Sequence, residues 1–293
     1  MSFSSEIKED LSKVNNLNNK EIIRYELIGY LISSNTHFIN KSKMKFTTES
    51  EYNINRFSRL LSNFDINHDI ELQGKKYIVK FNNNGIQDIV NLDVSNKKIN
   101  ILELPSKDDN VKSLIKGVFL GSGVVSNSKS KYHLELSFLD ENNMNDILSL
   151  LRLYGIEAKV LMKKTVFTIY LKESESISTF LALIGANKAV IKFEEMRVMK
   201  QISNNVNRIV NCETANLNKT VRAAVIEQEA IRKIEENGKF EELSDQLKEI
   251  ALLRKEHPDA SLVELGSMLK NPIGKSGVNH RLKKLVQIAE ELG

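Results

Sequence analysis

The chain has 293 residues, 41% hydrophobic and 27% charged, with a formal net charge of +4. That composition supports a buried core, the length suggests two domains or one large one, and the small net charge does not by itself demand a polyanionic partner. Cys212 is the single cysteine, which excludes an intrachain disulfide. No run approaches the ~18 apolar residues of a membrane span, and Met1 to Leu11 lacks a signal-like apolar stretch, so a cytoplasmic protein is expected.

In chain order, the periodicity predicts a helix over Lys20–Ser33 and a strand pair ending at Met44–Thr48. A second helix over Glu51–Phe64 and a hairpin over Ile66–Phe81, turning at Gln73-Gly74, follow. The same order then returns. A helix over Asn110–Ser122 leads to a strand pair ending at His133–Phe138, a helix over Asn143–Tyr154, and a hairpin over Ile156–Leu171 turning near Lys163-Lys164. A last short helix is expected to close each copy. Gly29 aligns with Gly117 at an offset of 88, whereas Phe57 aligns with Ile147 and Tyr77 with Phe167 at 90, so the first hairpins differ by two residues. The expected fold class is α+β: a pseudo-twofold tandem αββαββα repeat over 1–200, with copies at about 20–95 and 109–186. Glycine costs roughly 1 kcal/mol inside a helix. Gly29 and Gly117 are therefore read as points where two helices approach backbone to backbone at the pseudo-twofold axis.

A helical linker is expected over 201–240. Val206, Ile209 and Val210 suggest an inward stripe, so the Asn207–Lys219 stretch is read as bridging between domains, ahead of contacting DNA. The region 241–293 reads as a small all-α helix-turn-helix domain. Leu243, Leu247, Ile250, Ala251 and Leu253 form its first helix, which ends near His257-Pro258. Ser261 and Glu264 have capping-box spacing, and Leu262, Leu265, Met268 and Leu269 supply an inward face. Asn271-Pro272-Ile273-Gly274 forces a turn. Ser276 is the expected N-cap of the last helix, whose apolar stripe is Val278, Leu282, Leu285, Ile288, Ala289 and Leu292.

Charge is distributed unevenly. From Ile226 to Glu264 acids outnumber bases eleven to six, whereas Lys270 to Lys284 holds five Lys or Arg and no acid. A short helix with one apolar stripe and one basic, hydrogen-bonding face suits a DNA major groove. A helical bundle with a solvated basic end is the blander alternative. The candidate DNA-binding residues are Lys275, Ser276, Asn279, His280, Arg281, Lys283 and Lys284. Lys275, Arg281 and Lys284 would take phosphates, and Asn279 and Lys283, with His280 beside them, would take base edges. No catalytic residue, metal, cofactor or small-molecule substrate is expected. His37, His68, His133, His257 and His280 form no i, i+4 pair, and Asp108-Asp109 and Glu194-Glu195 read as solvated acids. Gly121-Ser122-Gly123 lacks the rest of a phosphate-loop pattern and reads as a helix exit.

Leu27-Ile28-Gly29-Tyr30-Leu31-Ile32-Ser33-Ser34-Asn35 and Ile115-Lys116-Gly117-Val118-Phe119-Leu120-Gly121-Ser122-Gly123 resemble degenerate copies of the LAGLIDADG motif of homing endonucleases. With the C-terminal helix-turn-helix, the chain resembles the WhiA family of bacterial transcription and cell-division regulators. Met1-Ser2-Phe3-Ser4-Ser5-Glu6-Ile7-Lys8, Arg24-Tyr25-Glu26-Leu27 and Tyr132-His133-Leu134-Glu135 resemble its pattern. So do the stretches Asn207 to Val221 and Lys275 to Leu285. The resemblance covers essentially the whole chain. It implies a sequence-specific DNA-binding regulator of cell division and chromosome segregation, or of sporulation where that occurs. Double-stranded DNA is the implied partner, with other transcription or division proteins beside it and the nucleoid as the location. Active LAGLIDADG enzymes hold divalent metal with an acid at each motif end, where Ser34 and Ser122 stand here. A neutral hydroxyl cannot supply that charge, so no nuclease activity is expected. Two rival readings remain: a protein-interaction module anchored to DNA by its tail, and a divergent endonuclease using other acids.

Overall fold

The computed structural model describes residues 2–14, 17–127 and 132–292. The chain divides into two compact units, Met1–Val198 and Met199–Gly293.

The first unit opens with α1 (Phe3–Lys13), capped by the Ser2 hydroxyl on the Ser5 N–H at 3.2 Å. The first copy follows as α2 (Lys20–Ile32), β1 (Thr36–Phe38), β2 (Lys43–Thr48), α3 (Glu51–Ser62), β3 (His68–Gln73) and β4 (Lys76–Asn82). A hairpin of β5 (Val90–Asp93) and β6 (Lys98–Ile101) leads to the second copy. That copy comprises α4 (Asp108–Ser122), β7 (Val124–Asn127), β8 (Tyr132–Phe138), α5 (Glu141–Leu153), β9 (Lys159–Lys163), β10 (Val166–Leu171) and α6 (Ser174–Leu183). α7 runs unbroken over Asn187–Glu236, so the segment 201–240 is no separate element.

The repeat is legible in the hydrogen-bonded register. The sheets are ordered β1-β2-β4-β3 and β7-β8-β10-β9. Thr47 faces Ile78 in the first, and Ser137 faces Thr168 in the second, both at an offset of 90. Met44, Phe46, Val79 and Phe81 face the core in one copy, and Leu134, Leu136, Ile169 and Leu171 do so in the other. Left-handed backbone also recurs, at Asp65 and Gly155 (φ 54° and 68°) and at Gly74 and Lys164 (φ 63° and 57°). The first hairpins break the correspondence. Thr36 pairs with Phe46, but Val124 pairs with Glu135, so the change of offset falls in this hairpin.

One expectation fails. No α-helix closes the first copy; a 3-10 turn at Asn84–Ile86 and the β5–β6 hairpin stand there instead. Asn82-Asn83-Asn84-Gly85 favours turns, because Asn side chains compete with the helical backbone bonds. The Asn83 amide donates to the Lys41 carbonyl at 2.7 Å rather than capping a helix.

α2 and α4 pack directly against each other. A Cβ placed on Gly29 would lie 2.3 Å from the Leu114 carbonyl oxygen, and one on Gly117 would lie 2.1 Å from that of Glu26. Only glycine permits this approach. Beside the contact, the buried Glu26 carboxylate takes the Arg56 guanidinium on both oxygens and the Lys116 ammonium at 2.6 Å. Burial pushes the Glu26 carboxyl up, but the Arg56 hydrogen bond and the Lys116 charge outweigh it and hold it below the usual carboxylate range.

The second unit packs the end of α7 against α8 (Asp245–Glu256), α9 (Leu262–Met268) and α10 (Lys275–Glu291). Its core draws Ile231 and Ile234 from α7, Ile250 and Ala251 from α8, Leu265 from α9, and Val278, Leu282 and Leu285 from α10.

Candidate nucleic-acid interface

The helix-turn-helix is fixed by local devices. The Glu264 carboxylate accepts from the Ser261 N–H at 2.7 Å while the Ser261 hydroxyl accepts from the Glu264 N–H at 3.3 Å, completing the capping box. The Lys270 N–H donates to Glu249 at 2.6 Å, pinning the end of α9 onto α8. The turn then folds back on α9. The Ile273 N–H donates to the Gly266 carbonyl at 3.2 Å, and a Cβ on Gly266 would lie 2.3 Å from the Ile273 carbonyl oxygen. Arg254, fully buried, lies 2.9 Å from the Glu227 carboxylate and donates to the Ala260 carbonyl at 2.8 Å. It therefore ties the end of α7 to the α8–α9 loop.

α10 starts at Lys275, and its N-cap is Gly274, so Ser276 lies inside the first turn rather than at the cap. Pro272 and the contact of Ile273 with Gly277 set the entry two residues earlier than the hydroxyl preference suggests. No side chain caps this end, and with the Gly277 and Val278 N–H groups bound to the Gly274 carbonyl, those of Lys275 and Ser276 are the ones that could meet an anion such as a phosphate. Val278, Leu282, Leu285 and Ala289 are buried. Ser276, His280, Lys283, Lys284 and Gln287 fall on the opposite, exposed face, with Lys275 exposed at its start. Asn279 and Arg281 are half-buried on the two shoulders, so Asn279 is not central on the polar face. Met268 is another correction: it is 44% exposed rather than part of the inward face of α9. Lys270 and Asn271, which follow it, are also exposed. The apolar pattern of α9 does not reveal the exposure of Met268, whereas Lys270 already belongs to the acid-free basic block Lys270 to Lys284.

The motif-helix exits in the first unit are closed by hydrogen bonds. The Ser122 hydroxyl donates to the Ser137 carbonyl at 2.7 Å and accepts from the Ser137 N–H at 3.1 Å. The Ser34 N–H donates to the same carbonyl at 2.9 Å, and the Asn35 amide donates to the Gly121 carbonyl at 2.7 Å. Among the described residues, no group of three or more His, Cys, Asp or Glu is placed to hold a metal ion.

These two units define a class: a LAGLIDADG-type repeat domain with neutral motif ends, followed by a helix-turn-helix of the DNA-binding type. Residues 111–203 match the WhiA LAGLIDADG-like domain, and residues 206–289 match the WhiA C-terminal HTH domain. A relative from Clostridium novyi, named probable cell division protein WhiA, is 39% identical, with 100% of this chain and 98% of the relative aligned. A relative of the same name from Clostridium tetani is 38% identical over the same shares. The crystal structure of full-length WhiA from Thermotoga maritima superposes with a TM-score of 0.62 at 25% identity, covering 100% of this chain and 99% of that one. The chain belongs to the WhiA family.

Proposed function

We propose that the chain is a sequence-specific DNA-binding transcription regulator acting in cell division and chromosome segregation, and in sporulation where that occurs. The observation that carries this reading is α10. A buried apolar stripe fixes its orientation, and its outer face presents Ser276, His280, Lys283 and Lys284 with no acid between Asn271 and Gln287. Such a face neutralises phosphates while its amide, imidazole and ammonium groups reach base edges. The cell-division role rests on the names carried by the clostridial relatives.

The repeat domain then serves as a scaffold and not as a nuclease. Phosphodiester hydrolysis by this fold needs hard anionic ligands for metal at both motif ends. Here Ser122 spends its hydroxyl on Ser137. Recruitment of other transcription or division proteins by the repeat domain is a compatible second role, favoured by exposed apolar residues on the strands β3 and β9, among them Leu72 and Met162 at 62% and 63% exposure. Among the described residues no helix is long and apolar enough to cross a membrane, and a DNA partner would place the protein on the nucleoid.

Selection of duplexes from a random pool by the full chain tests the reading. Enrichment of one motif, lost when Lys283 and Lys284 are replaced by Ala, is expected. A pool that stays random, or metal-dependent nicking with Mg²⁺ or Mn²⁺, would contradict it.

A further inference from the structure

The middle of α7 carries an eleven-residue repeat. Arg197-Val198-Met199 returns as Arg208-Ile209-Val210 and again as Lys219-Thr220-Val221, and Asn205-Val206-Asn207 returns as Asn216-Leu217-Asn218. Eleven residues make three helical turns with almost no drift, so equivalent positions line up along one side of a helix. Met199, Ile202, Val206, Val210, Leu217 and Val221 follow the 3-4-4 spacing of that repeat and form one stripe. Each is between 51% and 68% exposed. The repeated cations Arg197, Arg208 and Lys219 fall on the opposite face.

Every residue from Gln201 to Ala223 is exposed within the second unit. Six of them are Asn, and Val and Thr recur, all weak helix formers. A helix of this composition does not persist in water on propensity alone; it needs a partner along its apolar face. The expectation that Val206, Ile209 and Val210 face inward is therefore corrected, since all three face solvent.

We propose that a second copy of this chain covers the stripe, forming an antiparallel two-helix coil with its twofold axis at Val210. Area favours that occupant. The stripe is about 33 Å long. It offers roughly 500 Å² of apolar surface per helix, so a pair buries about 1,000 Å², the lower bound for a specific interface. Nucleic acid would leave the apolar side chains in water. Glu213 sets the orientation, because it occupies the stripe position between Val210 and Leu217. A parallel pair would bring two Glu213 carboxylates together. The antiparallel pair places Val210 on Val210 and Met199 opposite Val221, and it separates the two Glu213 carboxylates by six residues of rise, about 9 Å along the axis.

Sedimentation equilibrium of the full chain tests this, with no DNA present. The weight-average mass should climb from 33.3 kDa toward twice that value with concentration. Val210→Glu should weaken association at least tenfold, with circular dichroism losing no more helical signal than the exposed stretch Gln201 to Ala223 contributes, and Arg208→Ala on the opposite face should weaken neither. In a Cys212→Ser background, Met199→Cys should form disulfides with Val221→Cys chains and not with itself. A constant 33.3 kDa mass, or unaltered association in Val210→Glu, overturns the proposal. Self-crosslinking of Met199→Cys overturns the antiparallel arrangement. Loss of duplex binding in Arg208→Ala from a protein that never self-associates assigns the helix to nucleic acid instead.

Discussion

The Ser122 hydroxyl and the Ser137 backbone close a two-bond ring, donating to the carbonyl at 2.7 Å and accepting from the N–H at 3.1 Å. A carboxylate at this position could still accept from the N–H but could not donate to the carbonyl. Ser122→Asp should therefore destabilise the first unit by about 1–3 kcal/mol at neutral pH, because it sets a buried carboxylate against the Ser137 carbonyl oxygen, which keeps only the Ser34 N–H. The new acid would face a carbonyl oxygen, so its folded pKa should rise. The folded state would then hold the proton more tightly, and part of the loss should return on acidification. Denaturant melts at pH 7 and pH 4.5 check both signs.

The second prediction concerns the helix pair. Any Cβ on Gly117 meets the Glu26 carbonyl, and backbone cannot rotate away as a side chain can. Gly117→Ala should cost about 1–3 kcal/mol through overpacking, and Gly117→Leu should cost more. Melting temperature and soluble yield are the readouts. Wild-type stability in Gly117→Leu would break the axis contact, and with it the repeat architecture.

Lys164 holds the left-handed conformation that Gly74 holds in the other copy. Only glycine adopts it without cost. Lys164→Gly should stabilise the chain, by up to about 1 kcal/mol after the extra entropy that glycine gives the unfolded chain is subtracted. Gly74→Lys should do the reverse. Chemical denaturation of the two variants gives the comparison.

Glu26 titrates below the ordinary carboxylate range in the fold. The unfolded chain therefore binds that proton first. The stability Glu26 contributes is fully present above the ordinary glutamate pKa and is lost as pH falls through the lowered folded value. Glu26→Gln should cost about 3–5 kcal/mol at pH 7, since Arg56 and Lys116 then lie buried without their carboxylate. Its stability should also fall less steeply than wild type between pH 5 and pH 3.

Much of this was legible in the sequence. The two glycines, the apolar alternation and the capping box each reflect local constraints, and Gly29, Gly117 and Ser261 sit where those constraints place them. What escaped depended on neighbours. The short helix expected to close the first copy gives way around Asn84 to turn chemistry. Val206 and Val210 look inward by pattern, yet a stripe reads the same whether its cover is the same chain or another. Asn279 lies on a shoulder of α10 because the buried stripe, centred on Leu282 and Leu285, turns the helix slightly from the orientation that charge alone suggests.

On α10 the proposed base-reading and phosphate-contacting roles are separable by substitution. His280 and Lys283 lie on the outer face and Asn279 flanks it. Replacing Lys283 by Ala should cost ~1–3 kcal/mol at the preferred sequence and relax discrimination at one base pair. Lys275→Ala should weaken all duplexes alike. Competition titrations with single base-pair variants distinguish these outcomes, and uniform weakening in Lys283→Ala would remove its base-reading role.

The most direct measurement is the affinity of the full chain for its selected duplex as a function of salt. Contacts from Lys275, Arg281 and Lys284 to phosphates should give a log–log slope steeper by about 0.9 for each phosphate neutralised, and each alanine variant should flatten it by about that much. Binding should remain tighter to the selected duplex than to a scrambled one throughout. A slope near zero, or a slope unchanged in all three variants, would contradict the assignment of α10 as the DNA-binding helix.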